Sequence, residues 1–175
     1  RRLGHYVVVL TFNTGRRLNN PKQLASFFNL LHDRKVDVAC LQEVAGLNIL
    51  PSLAESEGWR VSAHGEVMTL IKTGSKAALM WDSTRDWKGM LDETTPINAL
   101  GTTLLTSEGP LLIMNAYIPT GVDDMNHSDK QHVADIHSAI HDKLFPHTLS
   151  ILCMDSNETK HDTGRVLYRP VLRDG

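Results

Sequence analysis

The chain has 175 residues, of which 41% are hydrophobic and 22% are charged, with a formal net charge of −2 at pH 7. These values are typical of one ordinary globular domain, residues 1–175, that buries a sizeable core, and they exclude a low-complexity chain. The small net charge does not indicate a general nucleic-acid-binding surface, and the longest apolar runs are far too short to cross a bilayer, so no membrane partner is expected.

The charge is unevenly distributed, and the cysteines are few. Residues 1–35 contain seven basic groups and one acidic group, so this segment carries +6 and the remainder carries −8. A basic segment can meet phosphates locally, although a solvated face is the simpler explanation. Cys40 and Cys153 lie in apolar runs, which predicts reduced core thiols in an intracellular protein.

The chain opens with a predicted strand, helix and strand. Residues 5–12 form a β-branched apolar run, and residues 36–42 form another. Between them, Asn20 is placed to cap a helix that has Pro21 at its first position and Gln23 three residues after the cap.

The remainder predicts mostly strands, with two further helices. The helices are predicted at residues 47–57, where Pro51 interrupts the pattern, and at residues 128–145. The strands are predicted at residues 59–64, 66–72, 76–82, 97–107, 110–117 and 148–154, the middle ones as an antiparallel meander. This order predicts an α/β fold in which two mixed β-sheets pack face to face with helices outside.

Several predicted strands end in polar residues of related chemistry. These residues are Asn13, Gln42, Glu43, Asn115, Tyr117, Asp155 and Asn157. Each one alone is explained as a turn former. Together they indicate a shared rim, because residues two apart in a strand point to the same side. Carboxylate and amide oxygens suit Mg²⁺, which indicates a metal-assisted phosphoester hydrolase.

The order of the segments "FN", "LQE", "NAYIP" and "DSN" resembles the endonuclease/exonuclease/phosphatase superfamily from about residue 7 to about residue 159. Within it, the segments "FNTGR", "VACLQEV", "KAALMW", "LLIMNAYIPTG" and "DSNET" are most similar to the endonuclease domain of non-LTR retrotransposons. The resemblance implies a deoxyribonuclease-like four-layer sandwich and a Mg²⁺ cofactor, with Mn²⁺ as a substitute.

The resemblance also implies roles for individual residues. It implies that Glu43 binds the metal and that Asn13 lies near the metal and the phosphate. It implies that Tyr117 contacts the scissile phosphate with support from Asn115. Asp155 would polarise or position the attacking water, and Asn157 would hold the phosphate.

Two departures from the family pattern stand out. The family's fourth motif reads Gly-Asp-Phe-Asn, whereas Met154 and Ser156 flank Asp155 here. The family also closes with a Ser-Asp-His stretch, which is absent after Asp155; His161 comes too early to match it. The chain starts without a methionine, and we expect it to be a fragment that lacks the C-terminal strands of the fold. A catalytically dead domain is the alternative.

Other polar and aromatic residues have competing interpretations. Arg16 and Arg17 follow Asn13 and are candidates for contacts with a DNA backbone, or are plain surface arginines. Trp59, Trp81 and Trp87 can stack on bases, but tryptophans in a strand-rich region are more often core residues. The i, i+4 pair of histidines within residues 128–145 (His137 and His141) has the spacing of a zinc site but no third ligand.

The sequence therefore predicts a Mg²⁺-dependent endonuclease that nicks DNA in a non-LTR retroelement. Such a domain implies DNA as its partner, a reverse-transcriptase domain in the same polyprotein, and an intracellular, nuclear location. One alternative is a phosphatase or phosphodiesterase acting on lipid or small-molecule phosphates. Another is a non-catalytic remnant that binds DNA or a partner.

Overall fold

A computed structural model describes residues 6–90, 98–117 and 149–155. In these ranges the strands are β1 (Val9–Asn13), β2 (Val38–Gln42), β3 (Trp59–His64), β4 (Val67–Lys72), β5 (Trp87–Met90), β6 (Asn98–Thr106), β7 (Gly109–Tyr117) and β8 (Leu149–Asp155). The helices are α1 (Pro21–Asp33), α2 (Leu50–Ser56) and α3 (Lys76–Met80), with a short 3-10 turn at Ser83–Arg85.

The strands form two four-stranded mixed sheets. The first sheet has the order β1-β2-β4-β3, and the second has the order β5-β6-β7-β8. One strand pair in each sheet is parallel, β1 with β2 and β7 with β8, and the other pairs are antiparallel. The parallel register pairs Asn13 with Gln42 and Tyr117 with Asp155. In each parallel pair, the two strands therefore end side by side in polar residues.

The sheets pack face to face, and β2 is buried on both of its faces. Val38 and Cys40 on one face of β2 join a cluster with Ile113 and Cys153 of the second sheet. Ala39 and Leu41 on the other face pack in a cluster with α1 and α2. This arrangement confirms the predicted α/β fold of two mixed sheets with helices outside.

The two cysteines are free and buried, as predicted, and they lie between the sheets. A hydrogen bond with the Cys153 thiol, together with burial, raises the pKa of the Cys40 thiol. Because the thiolate is the reactive form, Cys40 is an inert core residue.

Helix α1 begins where the sequence predicts. The Asn20 side chain accepts a hydrogen bond from the Gln23 backbone N–H at 2.9 Å, and Pro21 opens the helix. The buried residues of α1 are spaced at three and four positions, namely Leu24, Phe27, Phe28 and Leu31. This stripe packs α1 against the first sheet and fixes the loop that follows Asn13.

The prediction of a strand at residues 76–82 is wrong, because this segment contains helix α3. The Ser75 side chain caps the helix by accepting from the Ala78 N–H at 3.2 Å. Only Trp81, after the helix, makes a bridge, to Leu104. Strand β5, which the sequence did not predict, follows the 3-10 turn and pairs with β6.

The remaining predicted elements are found with shifted ends or lie outside the described residues. The first strand begins at Val9 rather than residue 5, and the second helix covers Leu50–Ser56. The predicted meander is divided: β3 and β4 belong to the first sheet, and β5 to β7 belong to the second. The predicted helix at residues 128–145 lies outside the described ranges. Within those ranges, each helix is too short or too polar to span a membrane.

Candidate active site

Asn13, at the end of β1, connects two carboxylates that come from different sheets. Its Nδ2 donates to Glu43 Oε1 at 3.1 Å and also donates to Asp155 Oδ2. Glu43 follows β2 of the first sheet, and Asp155 ends β8 of the second. The two acids that the sequence analysis singled out therefore lie in one cleft.

The orientation of the Asn13 amide is fixed by the loop that follows it. Asn13 Oδ1 accepts a hydrogen bond from the Gly15 backbone N–H at 2.7 Å. The amide nitrogen therefore faces the carboxylates, and Asn13 acts as a hydrogen-bond donor to Glu43 in this conformation. Its predicted role as a neighbour of the metal and the phosphate stays a prediction.

The backbone of Glu43 has a left-handed conformation that non-glycine residues rarely adopt, with φ at 56°. The buried Thr14 side chain holds this peptide by donating from Oγ1 to the Glu43 carbonyl at 2.6 Å. Such a conformation costs about 1–2 kcal/mol and persists where surrounding contacts enforce it. Thr14 is thus a positioning residue that the sequence analysis missed, because a threonine in a polar loop carries no distinctive signal.

Glu66, in the turn between β3 and β4, is a second residue that the sequence analysis missed. Its Oε2 accepts from the Ala45 N–H at 3.3 Å, and its backbone carbonyl accepts from the Val44 N–H at 3.3 Å. Glu66 thus binds both peptides that follow Glu43. In the sequence it directly follows the turn glycine Gly65, and one glutamate beside a turn carries no distinctive signal.

The two arginines proposed to contact DNA have different environments. Arg16 Nη2 forms an ion pair with Glu66 Oε1 at 2.5 Å, although 58% of the Arg16 side chain is exposed. Arg17 is exposed and lines a groove beside Asn13 and Glu43. Both arginines therefore lie close to the acidic cleft, and their predicted contact with DNA stays a prediction.

Tyr117, at the end of β7, points its hydroxyl at the same cleft. The hydroxyl donates to Glu43 Oε1 at 3.3 Å. Burial raises the pKa of Tyr117, and the negative charges of Glu43, Glu66 and Asp155 raise it further. The phenol therefore stays neutral at physiological pH and can donate a hydrogen bond.

Asn115 lies beneath the cleft, completely buried between the sheets. Its Nδ2 donates to the Met68 carbonyl at 2.9 Å, and its Oδ1 accepts from Gln42 Nε2 at 2.8 Å. These bonds join β7 of the second sheet to β2 and β4 of the first. Asn115 therefore anchors β7 to the first sheet two residues before Tyr117, and its predicted support of Tyr117 stays a prediction.

Other residues singled out in the sequence lie elsewhere. Asn157, His137, His141 and His161 fall outside the described residues. Trp59 is 4% exposed and belongs to the core, so it does not stack on bases. Trp81 Nε1 donates to both carboxylate oxygens of Asp86, at 3.0 and 2.9 Å.

The cleft fits a cation that takes few protein ligands. In the described part of the chain, no group of three or more histidine, cysteine, aspartate or glutamate side chains is placed to hold a metal ion. However, the carboxylates of Glu43, Glu66 and Asp155 all act on the pKa of Tyr117, so the cleft carries negative potential. Mg²⁺ typically binds one or two carboxylates and completes its shell with water and phosphate oxygens. The described residues therefore fit such an ion, and the role of Glu43 as its ligand stays a prediction.

Comparison with known proteins finds similarity in structure rather than in sequence. The chain matches no protein-family model and no curated protein. Among solved structures, D. rerio TDP2 complexed with a single-strand DNA product superposes with a TM-score of 0.67 at 14% identity, over 91% of this chain and 64% of that one.

Two further structures extend this comparison. The human Nocturnin catalytic domain with a bound sulfate anion has a TM-score of 0.63 at 14% identity, covering 87% of this chain and 64% of that one. An endonuclease/exonuclease/phosphatase family protein from Bacteroides thetaiotaomicron has a TM-score of 0.60 at 15% identity, covering 86% of this chain and 62% of that one. The chain therefore has the fold of these proteins and spans less than two thirds of the length of each.

Proposed function

We propose that this chain is a Mg²⁺-dependent phosphodiester hydrolase that nicks DNA, of the kind found in non-LTR retroelements. The observation that carries the proposal is the convergence of Glu43 and Asp155 on the Asn13 amide. Two carboxylates beside a neutral phenol provide the groups that phosphodiester hydrolysis needs. Hydrolysis requires a site for a cation, an acceptor for the proton of water and a donor to the phosphate.

The side chains divide this chemistry among themselves. A phosphodiester resists attack because its anionic oxygens repel a nucleophile, so the protein must place donors around those oxygens. Tyr117 is one donor, because its raised pKa keeps the hydroxyl protonated. Asp155 accepts the proton of the attacking water or orients that water, and the Asn13 N–H fixes the direction of its carboxylate.

A bound cation would be held by Glu43. Mg²⁺, or Mn²⁺ in its place, would neutralise charge on the phosphate as a Lewis acid. Glu43 is half-buried, and its position is fixed by Thr14, Asn13 and Tyr117. A carboxylate fixed in this way is preorganised for a cation, because little reorganisation is needed on binding.

Several observations support DNA as the substrate. Arg16 and Arg17 lie beside the cleft and can neutralise backbone phosphates. A protein of the same fold, D. rerio TDP2, is solved with a single-strand DNA product. The retroelement assignment is supported by the sequence segments around Asn13, Glu43 and Tyr117. The retroelement assignment implies a reverse-transcriptase domain in the same polyprotein and a nuclear location.

Plasmid nicking tests this proposal. The chain should convert supercoiled plasmid to the open circle in Mg²⁺ or Mn²⁺ and should stop when EDTA is added. Glu43→Gln should reduce the rate by at least about a hundredfold, because it removes the charge that holds the cation. Glu55→Gln is the matched control, because Glu55 is an exposed glutamate of α2 outside the cleft, and it should nick at the native rate.

Two outcomes would overturn the proposal. Release of phosphate from inositol phosphates or sphingomyelin, with no nicking, would assign the cleft to a small-ester phosphatase or phosphodiesterase. DNA binding that Mg²⁺ does not convert to cleavage, and that Glu43→Gln does not alter, would identify a non-catalytic DNA-binding domain.

A further inference from the structure

A groove of about 710 Å³ borders the cleft between the end of β1 and helix α1. Asn13 and Glu43 line it together with apolar side chains that include Phe12 and Leu30. Phe12 is 37% exposed and Leu30 is 39% exposed, so the groove presents an accessible apolar surface next to charged groups. Its apolar part has no role in the chemistry described above, and we call the whole surface the Phe12 groove.

The aromatic wall of the Phe12 groove is firmly supported. The rings of Phe12 and Phe27 lie 5.6 Å apart at an interplanar angle of 31°. Phe27 also packs edge-on against Phe28, and it is only 4% exposed. Phe12 is therefore backed by a rigid core and keeps part of its ring accessible, which is the property of an aromatic side chain that stacks on a planar group.

The lining of the Phe12 groove includes two basic side chains. It contains Arg17 from the loop after β1 and Lys22 from the first turn of α1. That turn contains no acidic residue, so the positive end of the helix dipole adds to the two side-chain charges. Among the described residues that line the groove, the one acidic residue is Glu43, which belongs to the cleft.

An exposed ring beside two cations matches the chemistry of a nucleotide. A nucleic-acid strand alternates planar bases with anionic phosphates, and single-strand-binding grooves combine aromatic platforms with basic side chains. The volume of the groove lies within the range of about 300–1,000 Å³ that small-molecule sites occupy. An acyl chain would pack against the apolar wall, but it has no charged group that Arg17 and Lys22 could bind.

Building on the proposed function, we propose that the Phe12 groove binds an unpaired nucleobase that neighbours the scissile phosphate. The base stacks on Phe12 beside Leu30, and the phosphate attached to it contacts Arg17 and Lys22. The substrate of the cleft is then a strand that is unstacked on one side of the cut.

Binding of oligonucleotides without divalent cations tests this assignment separately from hydrolysis. Fluorescein-labelled oligo-dT would be compared by anisotropy, in EDTA, with an oligonucleotide of equal length built from abasic tetrahydrofuran units. The native chain should bind oligo-dT about 5- to 150-fold more tightly, which corresponds to the contribution of stacking one base on an aromatic side chain.

Variants of Phe12 isolate the stacking contribution. Phe12→Leu keeps apolar bulk against Phe27 but removes the flat ring. This variant should therefore bind oligo-dT only as tightly as the native chain binds the abasic strand. Its binding to the abasic strand should be unchanged. Phe12→Trp restores an aromatic face and should bind oligo-dT at least as tightly as the native chain.

A second pair of variants does not touch the core. Ser26 and Asn29 are both exposed on α1, but only Ser26 lines the groove. Ser26→Trp should obstruct the groove and weaken oligo-dT binding by about tenfold, whereas Asn29→Trp should leave it unchanged.

Three results would overturn the assignment. The first is that the native chain binds oligo-dT and the abasic strand with equal affinity. The second is that Ser26→Trp and Asn29→Trp lose affinity equally. The third is that the chain binds phosphatidylserine vesicles in a Phe12-dependent way but shows no base-dependent binding to DNA. Because these measurements exclude divalent cations, loss of base preference with intact nicking contradicts only the groove. Retained base preference without nicking contradicts only the proposed hydrolysis.

Discussion

At the scale of single residues, the cleft depends on side chains that hold backbone rather than substrate. Glu43 has the left-handed φ of 56° and carries the carboxylate on which Asn13 and Tyr117 converge. The Glu43 carbonyl accepts a hydrogen bond from Thr14. The N–H groups of the next two residues donate to Glu66. A strained residue enclosed in this way is typical of a functional site, because the same conformation would relax elsewhere.

Removing the Thr14 hydroxyl should lower activity, although this hydroxyl binds the backbone of Glu43 rather than its carboxylate. Thr14→Val keeps the shape of the side chain but leaves the Glu43 carbonyl without its partner, at a cost of about 1–3 kcal/mol in unfolding free energy. The nicking rate should fall by about tenfold or more through kcat, with little change in KM, because Glu43 loses its fixed position.

Thr14→Ser is the matched control for that variant. Serine retains the hydroxyl, so both stability and nicking should return close to the native values. A Thr14→Val variant that is less stable but nicks at the native kcat would contradict a positioning role and leave Thr14 a purely structural residue.

Tyr117 should stay protonated to unusually high pH. Burial and the carboxylates nearby raise its pKa above the ordinary value of about 10. In the unfolded chain the phenol ionises first, so folding stability is complete below that value and decreases as the pH rises through the folded pKa. Tyr117→Phe should remove this alkaline loss of stability.

The measurement for Tyr117 is an absorbance titration of tyrosinate. The chain has three tyrosines, Tyr6, Tyr117 and Tyr168, so the difference between the native chain and Tyr117→Phe isolates one titration. A Tyr117 that titrates at or below the ordinary value would contradict the negative environment of the cleft.

At the scale of elements, the turn between β3 and β4 is fixed by a close contact with the other sheet. Gly65 in this turn has φ at +56°, and a Cβ atom added there would overlap the side chain of Asn98 at the start of β6. The neighbouring Glu66 binds the backbone after Glu43. A side chain at this position would adopt an unfavourable φ and would force the Asn98 side chain to move.

Substitution of Gly65 should therefore cost more than its backbone conformation alone explains. Gly65→Ala should reduce the unfolding free energy by about 2–5 kcal/mol, the sum of the left-handed strain and the overpacking against Asn98. Gly74→Ala is the control, because Gly74 has φ at +79° but no atom within 4 Å of an added Cβ. Urea unfolding of both variants gives the difference, and equal costs would contradict a steric requirement at Gly65.

Predictability from sequence differed between elements for identifiable reasons. The apolar runs of β2 and β7 are strong local signals, and they place Glu43 and Tyr117 at strand ends. The cap at Asn20 is an equally strong signal for the start of α1. The segment at α3 contains good helix formers after a capping serine, so its apolar character was misread as a strand. Strand β5 is short and contains a glycine, and its pairing with β6 is a tertiary effect.

The candidate site was only partly predictable for a different reason. Asn13, Glu43, Tyr117 and Asp155 are recognisable because polar residues interrupt apolar runs in a family-like order. Glu66 and Thr14 act through hydrogen bonds to backbone groups that are distant in sequence, and no local pattern encodes such bonds. The orientation of Asn13 likewise depends on a turn at Gly15.

At the scale of the whole molecule, the cleft exists only because two sheets meet. The contact between Asn115 and Gln42 joins them beneath the cleft, and Asn13 joins the acids above it. In the described residues, folding brings Glu43 of one sheet close to Asp155 of the other, and their like charges repel. The fold therefore concentrates negative charge in the cleft, which a bound cation would neutralise.

This concentration of negative charge predicts that the effect of Glu43→Gln on stability changes sign with the cation. In EDTA, Glu43→Gln should melt at the native temperature or above it, because glutamine relieves the repulsion and still accepts hydrogen bonds from Asn13 and Tyr117. With Mg²⁺ at about a hundred times its Kd, the native chain should gain about 5–10 °C in Tm, and Glu43→Gln should gain little. The order of stability should then reverse. Differential scanning calorimetry measures both states, with potassium chloride of equal ionic strength as the control for screening. A Mg²⁺ shift of equal size in both proteins would place the cation away from Glu43 and would contradict the proposed site whether or not the chain cleaves DNA.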